Sequence, residues 1–143
     1  MAEGVFRRKL KDAGIDNGVF TESAGTHGYH VGSPPDPRGI EAARRRGVDL
    51  EHLRARRVVA EDFSNFDYVL AMDHENYRHL VEMCTTPDQR RRVSLFLNFS
   101  RHIHTQEVPD PYYGPPGGFE RVMDLLEEGM QELLLHLRRC HRL

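Results

Sequence analysis

Residues 66–73 read FDYVLAMD, a nearly continuous apolar run bounded by polar residues, and its reading decides the fold. Such a run is the mark of a strand buried on both faces, which occurs inside parallel sheets rather than on their surfaces. Residues 92–99, RVSLFLNF, repeat the pattern and predict a second buried strand. Between the two runs the chain predicts a helix from about His74 to Cys84. Working toward the N-terminus, the prolines of GSPPDPRG stiffen a loop that opens a helix from about Pro37 to Arg46, stopped by Gly47. Before it, the β-branched and aromatic run Val19 to Thr21 predicts a strand running into the loop Ser23-Ala24-Gly25. Val5, Phe6, Leu10 and Ala13 form one stripe of an uncapped first helix, with Arg7, Arg8, Lys9 and Lys11 opposite and Gly14 as its stop. Beyond Gly118, the residues Phe119, Val122, Leu126, Met130, Leu133 and Leu137 recur at helical spacing and give a long closing helix.

The alternation of helix and strand predicts an open parallel α/β sheet in a single domain spanning residues 1–143. Right-handed winding normally enters on a strand, whereas this chain enters on a helix, so a strand is expected upstream of Met1. With 20 basic and 22 acidic residues and a net charge of −2, no global field draws the chain to nucleic acid or to an anionic membrane. No apolar run reaches the roughly 18 residues of a bilayer span, and the N-terminus lacks a signal-peptide core, so a cytoplasmic protein is expected. Two cysteines without C-x-x-C spacing are too few to staple a secreted fold and are expected to be reduced.

The segment VPDPYYG, residues 108–114, is the first candidate for chemistry. Pro109 and Pro111 restrict the backbone on both sides of Asp110, so its carboxyl is held rather than left to wander. Tyr112 and Tyr113 could wall off water, and partial desolvation raises a carboxyl pKa toward the range useful for donating a proton. A plain turn with two packed rings fits the same pattern. The second candidate is the glycine-rich loop holding Ser23 and Tyr29, which would lie where parallel sheets bind ligands, although Gly and Pro also simply make loops. The nine histidines do not form a metal-ligand pattern: His74 and His79 are out of helical phase, and His102 with His104 lacks an acidic or cysteine partner nearby. Arg44, Arg45, Arg46, Arg54, Arg56 and Arg57 could meet anions or form a solvated basic face. Neither Cys84 nor Cys140 is predicted at a helix N-terminus, where the dipole would favour a thiolate.

Taken in order, ESAGTHGYHVGSPPDPRGIEAARRRGVDL (22–50), FDYVLAMDHEN (66–76) and DPYYGPPGGFERV (110–122) resemble the low-molecular-weight protein-tyrosine phosphatases over about residues 1–140. The resemblance implies a Rossmann-like three-layer fold with a small parallel sheet. It also implies hydrolysis of phosphotyrosine in protein substrates through a phosphocysteine, with neither metal nor other cofactor. By resemblance Asp110 is the general acid and then the base, Tyr112, Tyr113 and Tyr29 line the slot for the phenyl ring, and Ser23 and Asp73 support the phosphate loop. Family members carry a segment like V-C-x-G-N-I-C-R-S-P-M-A-E, and this sequence begins at that Met-Ala-Glu as Met1, Ala2 and Glu3. The nucleophilic cysteine, the phosphate-binding arginine and the first strand are therefore expected to lie outside these residues, leaving an N-terminally truncated domain that is inactive as written. A noncatalytic binding or decoy module remains an alternative, and a thiol-dependent arsenate reductase is another, although it would need further relay cysteines.

Overall fold

The computed structural model describes residues 1–143 apart from Tyr29, Tyr113 and Pro116. Its elements in chain order are α1 (Ala2–Asp12), α2 (Pro37–Arg44), α3 (Asp62–Asn65), β1 (Val69–Ala71), α4 (His74–Met83), α5 (Pro87–Arg91), β2 (Val93–Leu95), a 3₁₀ helix (Phe96–Phe99) and α6 (Gly118–His141). The amphipathic stripe of α1 buries Val5, Phe6 and Leu10 as expected, and Met1 offers it no side-chain cap. Asp36 caps α2 through its side chain ahead of Pro37 at the first helical position, where the missing N–H costs nothing.

β1 and β2 pair in parallel, with Val69 opposite Val93, Leu70 opposite Ser94 and Ala71 opposite Leu95. Alternation along β1 divides the core into two clusters. Val69 and Ala71 join Phe63, Leu80, Cys84, Val93 and Leu95 on one face. Tyr68, Leu70 and Met72 turn to the other, where α1, α2, the 3₁₀ helix and α6 contribute Leu10, Ala43, Phe96, Met123, Leu126 and Leu133. Helices on both faces of a small parallel sheet give the three layers of an α/β fold.

Close approaches are made at glycines. A methyl group at Gly4 would lie 2.2 Å from Leu50 Cδ2, so α1 can meet residues 48–50 only without a side chain there. At Gly129 the same methyl group would lie 2.5 Å from Phe96 Cζ, and α6 thus rests directly on the 3₁₀ helix. With 24 residues, α6 is about 36 Å long and packs against α1, α2 and the 3₁₀ helix.

Three readings of the sequence need correction. Val19 to Thr21 does not form a strand: residues 19–24 have no ladder partner, Phe20 is 73 % exposed, and among the described residues nearby the pairing is an isolated parallel bridge from Gly25 to Arg57. β-propensity alone cannot make a strand where no neighbour supplies hydrogen bonds. The run 92–99 is strand only to Leu95, because the chain tightens into the 3₁₀ turn that puts Phe96 and Leu97 under α6. The short helices α3 and α5 were not expected, being four and five residues long and too brief to show a helical period.

Candidate active site

The carboxyl end of β1 organises the site. Asp73 lies two residues past the end of β1 and caps α4, its Oδ1 accepting from the Asn76 N–H at 2.7 Å. Asn76 Nδ2 reaches Thr26 Oγ1 at 3.5 Å, bringing the glycine-rich loop to the same edge. The Val108 N–H donates to the Met72 carbonyl at 2.8 Å, so the segment leading to Asp110 crosses the end of the strand. Together Asp73, Thr105, Glu107, Val108, Pro109 and Arg121 line an open hollow of about 300 Å³. Glu107 Oε2 accepts from the His74 N–H at 2.9 Å, closing the rim beside α4.

Ser23, at the start of the glycine-rich loop, donates from its hydroxyl to Glu3 Oε1 at 2.8 Å. Glu3 belongs to the first turn of α1 and is buried, with its second oxygen 2.7 Å from Arg7 Nη2. Behind it, Arg56 pairs with Glu22 and Asp62, and Asp62 in particular strengthens its hold on the proton. The Ser23–Glu3 bond and a bond from Arg7 Nη2 to the Thr21 carbonyl at 3.3 Å thus fix the front of α1 to the loop around residues 21–23. Arg56, one of the arginines expected to meet anions or to form a solvated face, is instead paired within the protein, and the buried position of Glu3 was not expected. An acidic residue in the first turn of a helix whose face is otherwise apolar was the available signal.

Asp110 is exposed, and its Oδ1 accepts from the Tyr112 N–H at 3.0 Å. The expectation that aromatic rings desolvate this carboxyl is not met among the described residues: Tyr112 is itself 46 % exposed, its ring centroid 6.4 Å from that of His30. Tyr29 and Tyr113, the other two residues of the anticipated ring slot, lie outside the described residues. Tyr112 is also held through its backbone, whose carbonyl accepts from Arg38 Nη2 at 3.0 Å.

The profile of the Low molecular weight phosphotyrosine protein phosphatase family matches residues 1–142. This chain belongs to that family. The low molecular weight protein-tyrosine-phosphatase YfkJ of Bacillus subtilis is 34% identical over 97% of this chain and 87% of its own length. The human low molecular weight phosphotyrosine protein phosphatase is 36% identical over 85% of this chain and 77% of its own. A crystal structure of protein tyrosine phosphatase from Entamoeba histolytica, with Hepes in the active site, superposes with a TM-score of 0.91 at 36% identity, covering 96% of this chain and 87% of that one.

Measured against this phosphatase family, the cysteines stand apart from the site. The chain contains one C-x5-R spacing, Cys84 to Arg90, which the sequence reading passed over. Its surroundings are wrong for a phosphate cradle. Cys84 is buried at the end of α4, donates its thiol to the Leu80 carbonyl at 3.3 Å, and has its pKa pushed up by burial. The intervening N–H groups of Thr85 and Gln89 are taken by Gln89 Oε1 and Thr86 Oγ1, and Asp88 adds a negative charge. Cys140 is exposed near the end of α6, its sulfur 3.7 Å from His136 Nε2.

The arginine runs are mostly paired internally. Arg44 and Arg45 engage Glu41, Glu51 and Glu120, and Arg46 gathers Glu120, Asp124 and Glu127 across the α2–α6 interface. Among the described residues no three His, Cys, Asp or Glu side chains converge as metal ligands, and no helix is long and apolar enough to cross a membrane.

Proposed function

We propose that this polypeptide carries the acid half of a phosphotyrosine-protein phosphatase. Asp110 protonates the phenolate oxygen as the P–O bond breaks and a cysteine thiolate takes the phosphoryl group. It then accepts a proton from water as the P–S bond breaks and inorganic phosphate leaves. Ser23 and Asp73 brace the phosphate-binding loop, and Tyr112, with Tyr113 and Tyr29, receives the phenyl ring. The thiolate and the phosphate-binding arginine belong to a C-x5-R-S loop that these 143 residues do not contain.

The observation that carries the reading is the tethering of residues 108–112 at two points, Val108 to Met72 and Tyr112 to Arg38, which holds an exposed carboxyl at a defined position beside the end of β1. Exposure suits a proton donor that must be reached by an incoming substrate, since the ester itself excludes water once bound. Neither cysteine is placed to replace the missing nucleophile. A second reading follows for the polypeptide of this sequence, that of a binding module retaining the surface without the chemistry.

Aryl phosphate hydrolysis at mildly acidic pH separates the two. The 143-residue chain is expected to give no turnover, whereas the same chain preceded by a segment of the form V-C-x-G-N-I-C-R-S-P turns over. In that longer protein Asp110→Asn lowers kcat by roughly 10² to 10⁴-fold. Turnover by the 143-residue chain, or a near-normal rate for the Asn variant, removes the assignment.

A further inference from the structure

Arg38 ends the proline-containing part of the second candidate loop without a role assigned to it, and it joins three parts of the site. Its guanidinium grips Asp36 side-on, Nε to Oδ1 at 3.1 Å and Nη2 to Oδ2 at 2.9 Å. Asp36 cannot drift, because its Oδ1 also accepts from the Arg38 N–H at 2.8 Å as the cap of α2. Nη2 donates in addition to the Tyr112 carbonyl at 3.0 Å. The guanidinium carbon sits 4.9 Å from the Phe119 ring centroid and 5.6 Å from that of Tyr112, so cation–π contacts hold it from two directions. Phe119 in turn lies in the first turn of α6 and approaches α2 at Gly39, where an added methyl group would come within 3.3 Å of the ring.

This tether falls where the segment needs one. On its N-terminal side the segment is stiffened by Pro109 and Pro111, but on its C-terminal side Gly114 and Gly117 intervene before α6, with Gly117 at a φ of 89°. The two turns that shape it are local, Asp110 Oδ1 to the Tyr112 N–H and the Pro111 carbonyl to the Gly114 N–H. Local turns set the curvature of a segment, not its position on the body of the protein.

We infer that Arg38 is the positioning residue of the acid loop, fixing residues 110–112 to the start of α2 through the Tyr112 carbonyl and so setting where the Asp110 carboxyl meets a bound ester. Its contact with the loop is to the Tyr112 carbonyl and ring, so it acts through Tyr112. The planar fork is required, because one edge must hold Asp36 while another N–H points at the carbonyl and the flat face lies on two rings. A lysine keeps the charge but cannot meet all three demands. The inference rests on residues 110–112 being the acid loop, and its test is independent of turnover.

Hydrogen exchange on the 143-residue chain reads the tether directly. In Arg38→Met and in Arg38→Lys, the amides of Tyr112 and Gly114 are expected to exchange about fivefold to tenfold faster than in the parent, the scale set by one or two lost hydrogen bonds, while amides of α6 beyond its first turn keep their rates. Unchanged exchange at Tyr112 and Gly114 in both variants overturns the inference, as does full protection in Arg38→Lys. So does an equal acceleration throughout α6, which would make Arg38 a general packing residue. In the protein carrying the C-x5-R-S loop, Arg38→Lys should slow phenyl phosphate more than p-nitrophenyl phosphate with KM little changed, because only the poorer leaving group depends on the acid; an equal effect on both esters overturns the positioning role. An Asp110→Asn variant with normal turnover would instead refute the acid assignment and leave the exchange result standing.

Discussion

Gly129→Ala is expected to destabilise the protein although it removes a glycine from the middle of a helix. At an open helical position this replacement gains about 1 kcal/mol. Here the new methyl carbon would lie 2.5 Å from Phe96 Cζ, 2.8 Å from Cε2 and 3.2 Å from Leu97 Cδ2. Carbon atoms prefer about 3.5 to 4.0 Å, so the overlap with the ring is about 1 Å. Phe96 is fully buried and cannot swing into solvent, so α6 and the 3₁₀ helix must separate or the ring must leave its rotamer. Overpacking of this kind costs about 1 to 3 kcal/mol. Since the overlap falls on two ring atoms, the upper part of that range applies. After the helix-propensity gain is subtracted, a net loss of about 1 to 2 kcal/mol remains, or about 3 to 8 °C in Tm for a domain of this size. Thermal and urea unfolding followed by circular dichroism measure it. A companion Phe96→Leu variant loses stability by itself through the cavity it leaves, but in that background the added methyl should cost little, giving a coupling of about 1 kcal/mol or more. A rise in Tm for Gly129→Ala alone would refute the contact between α6 and the 3₁₀ helix.

Three further outcomes follow from the polar and ionisable groups. Ser23→Ala leaves Glu3 Oε1 without its hydroxyl partner in a buried setting and should cost about 1 to 3 kcal/mol in urea unfolding, whereas Glu3→Gln in the same background should recover part of that loss; no change in either would show that the pair is not coupled. Arg46→Met removes the shared partner of Glu120, Asp124 and Glu127; the expected loss of about 1 kcal/mol in low salt should shrink in 1 M salt as the remaining like charges are screened, and a salt-independent loss would mean that packing dominates. Burial raises the pKa of the Cys84 thiol, and burial first, then the charges of Cys140 and Asp67, raises that of Tyr68. Because both values rise on folding, their contribution is complete below the unfolded thiol value of about 8.5 and is lost as pH climbs through the folded values, so Tm should fall in alkaline solution and fall less steeply in Cys84→Ala. A Tm profile in that variant identical to the parent's would exclude the thiol.

The sequence was most legible where hydrophobic periodicity was long. α1 and α6 lie where their stripes predicted them, α2 starts at Pro37 after the proline-stiffened loop as expected, α4 follows the first buried run, and the two buried runs supplied the paired strands. Residues 19–24 misled because a strand depends on its neighbour as much as on its own residues, and Val19 to Thr21 carry the composition of a strand without the pairing. Within the site, Asp110 and Asp73 could be read from proline bracketing and from the end of an apolar run. Glu3 and Arg38 could not, because each meets a partner far away in the chain: Glu3 accepts from Ser23 across 20 positions, and Arg38 reaches Tyr112 across 74. No local pattern encodes such a pair. Cys84 to Arg90 is the converse case, a spacing with the letters of a phosphate loop and the environment of a helix end.

The long closing helix begins a few residues after Asp110 and then runs for about 36 Å through the larger core cluster. The proposed acid loop joins this packed element through a short segment containing Gly114 and Gly117, and Arg38 lies between the loop and Phe119 in the helix's first turn. A change at Leu133 that shifts the start of α6 can therefore reach the loop through Phe119 and Arg38 without touching any substrate atom. Kinetic defects from changes along α6 then report leverage as well as contact, and a fair comparison sets each rate against the melting temperature of the same variant.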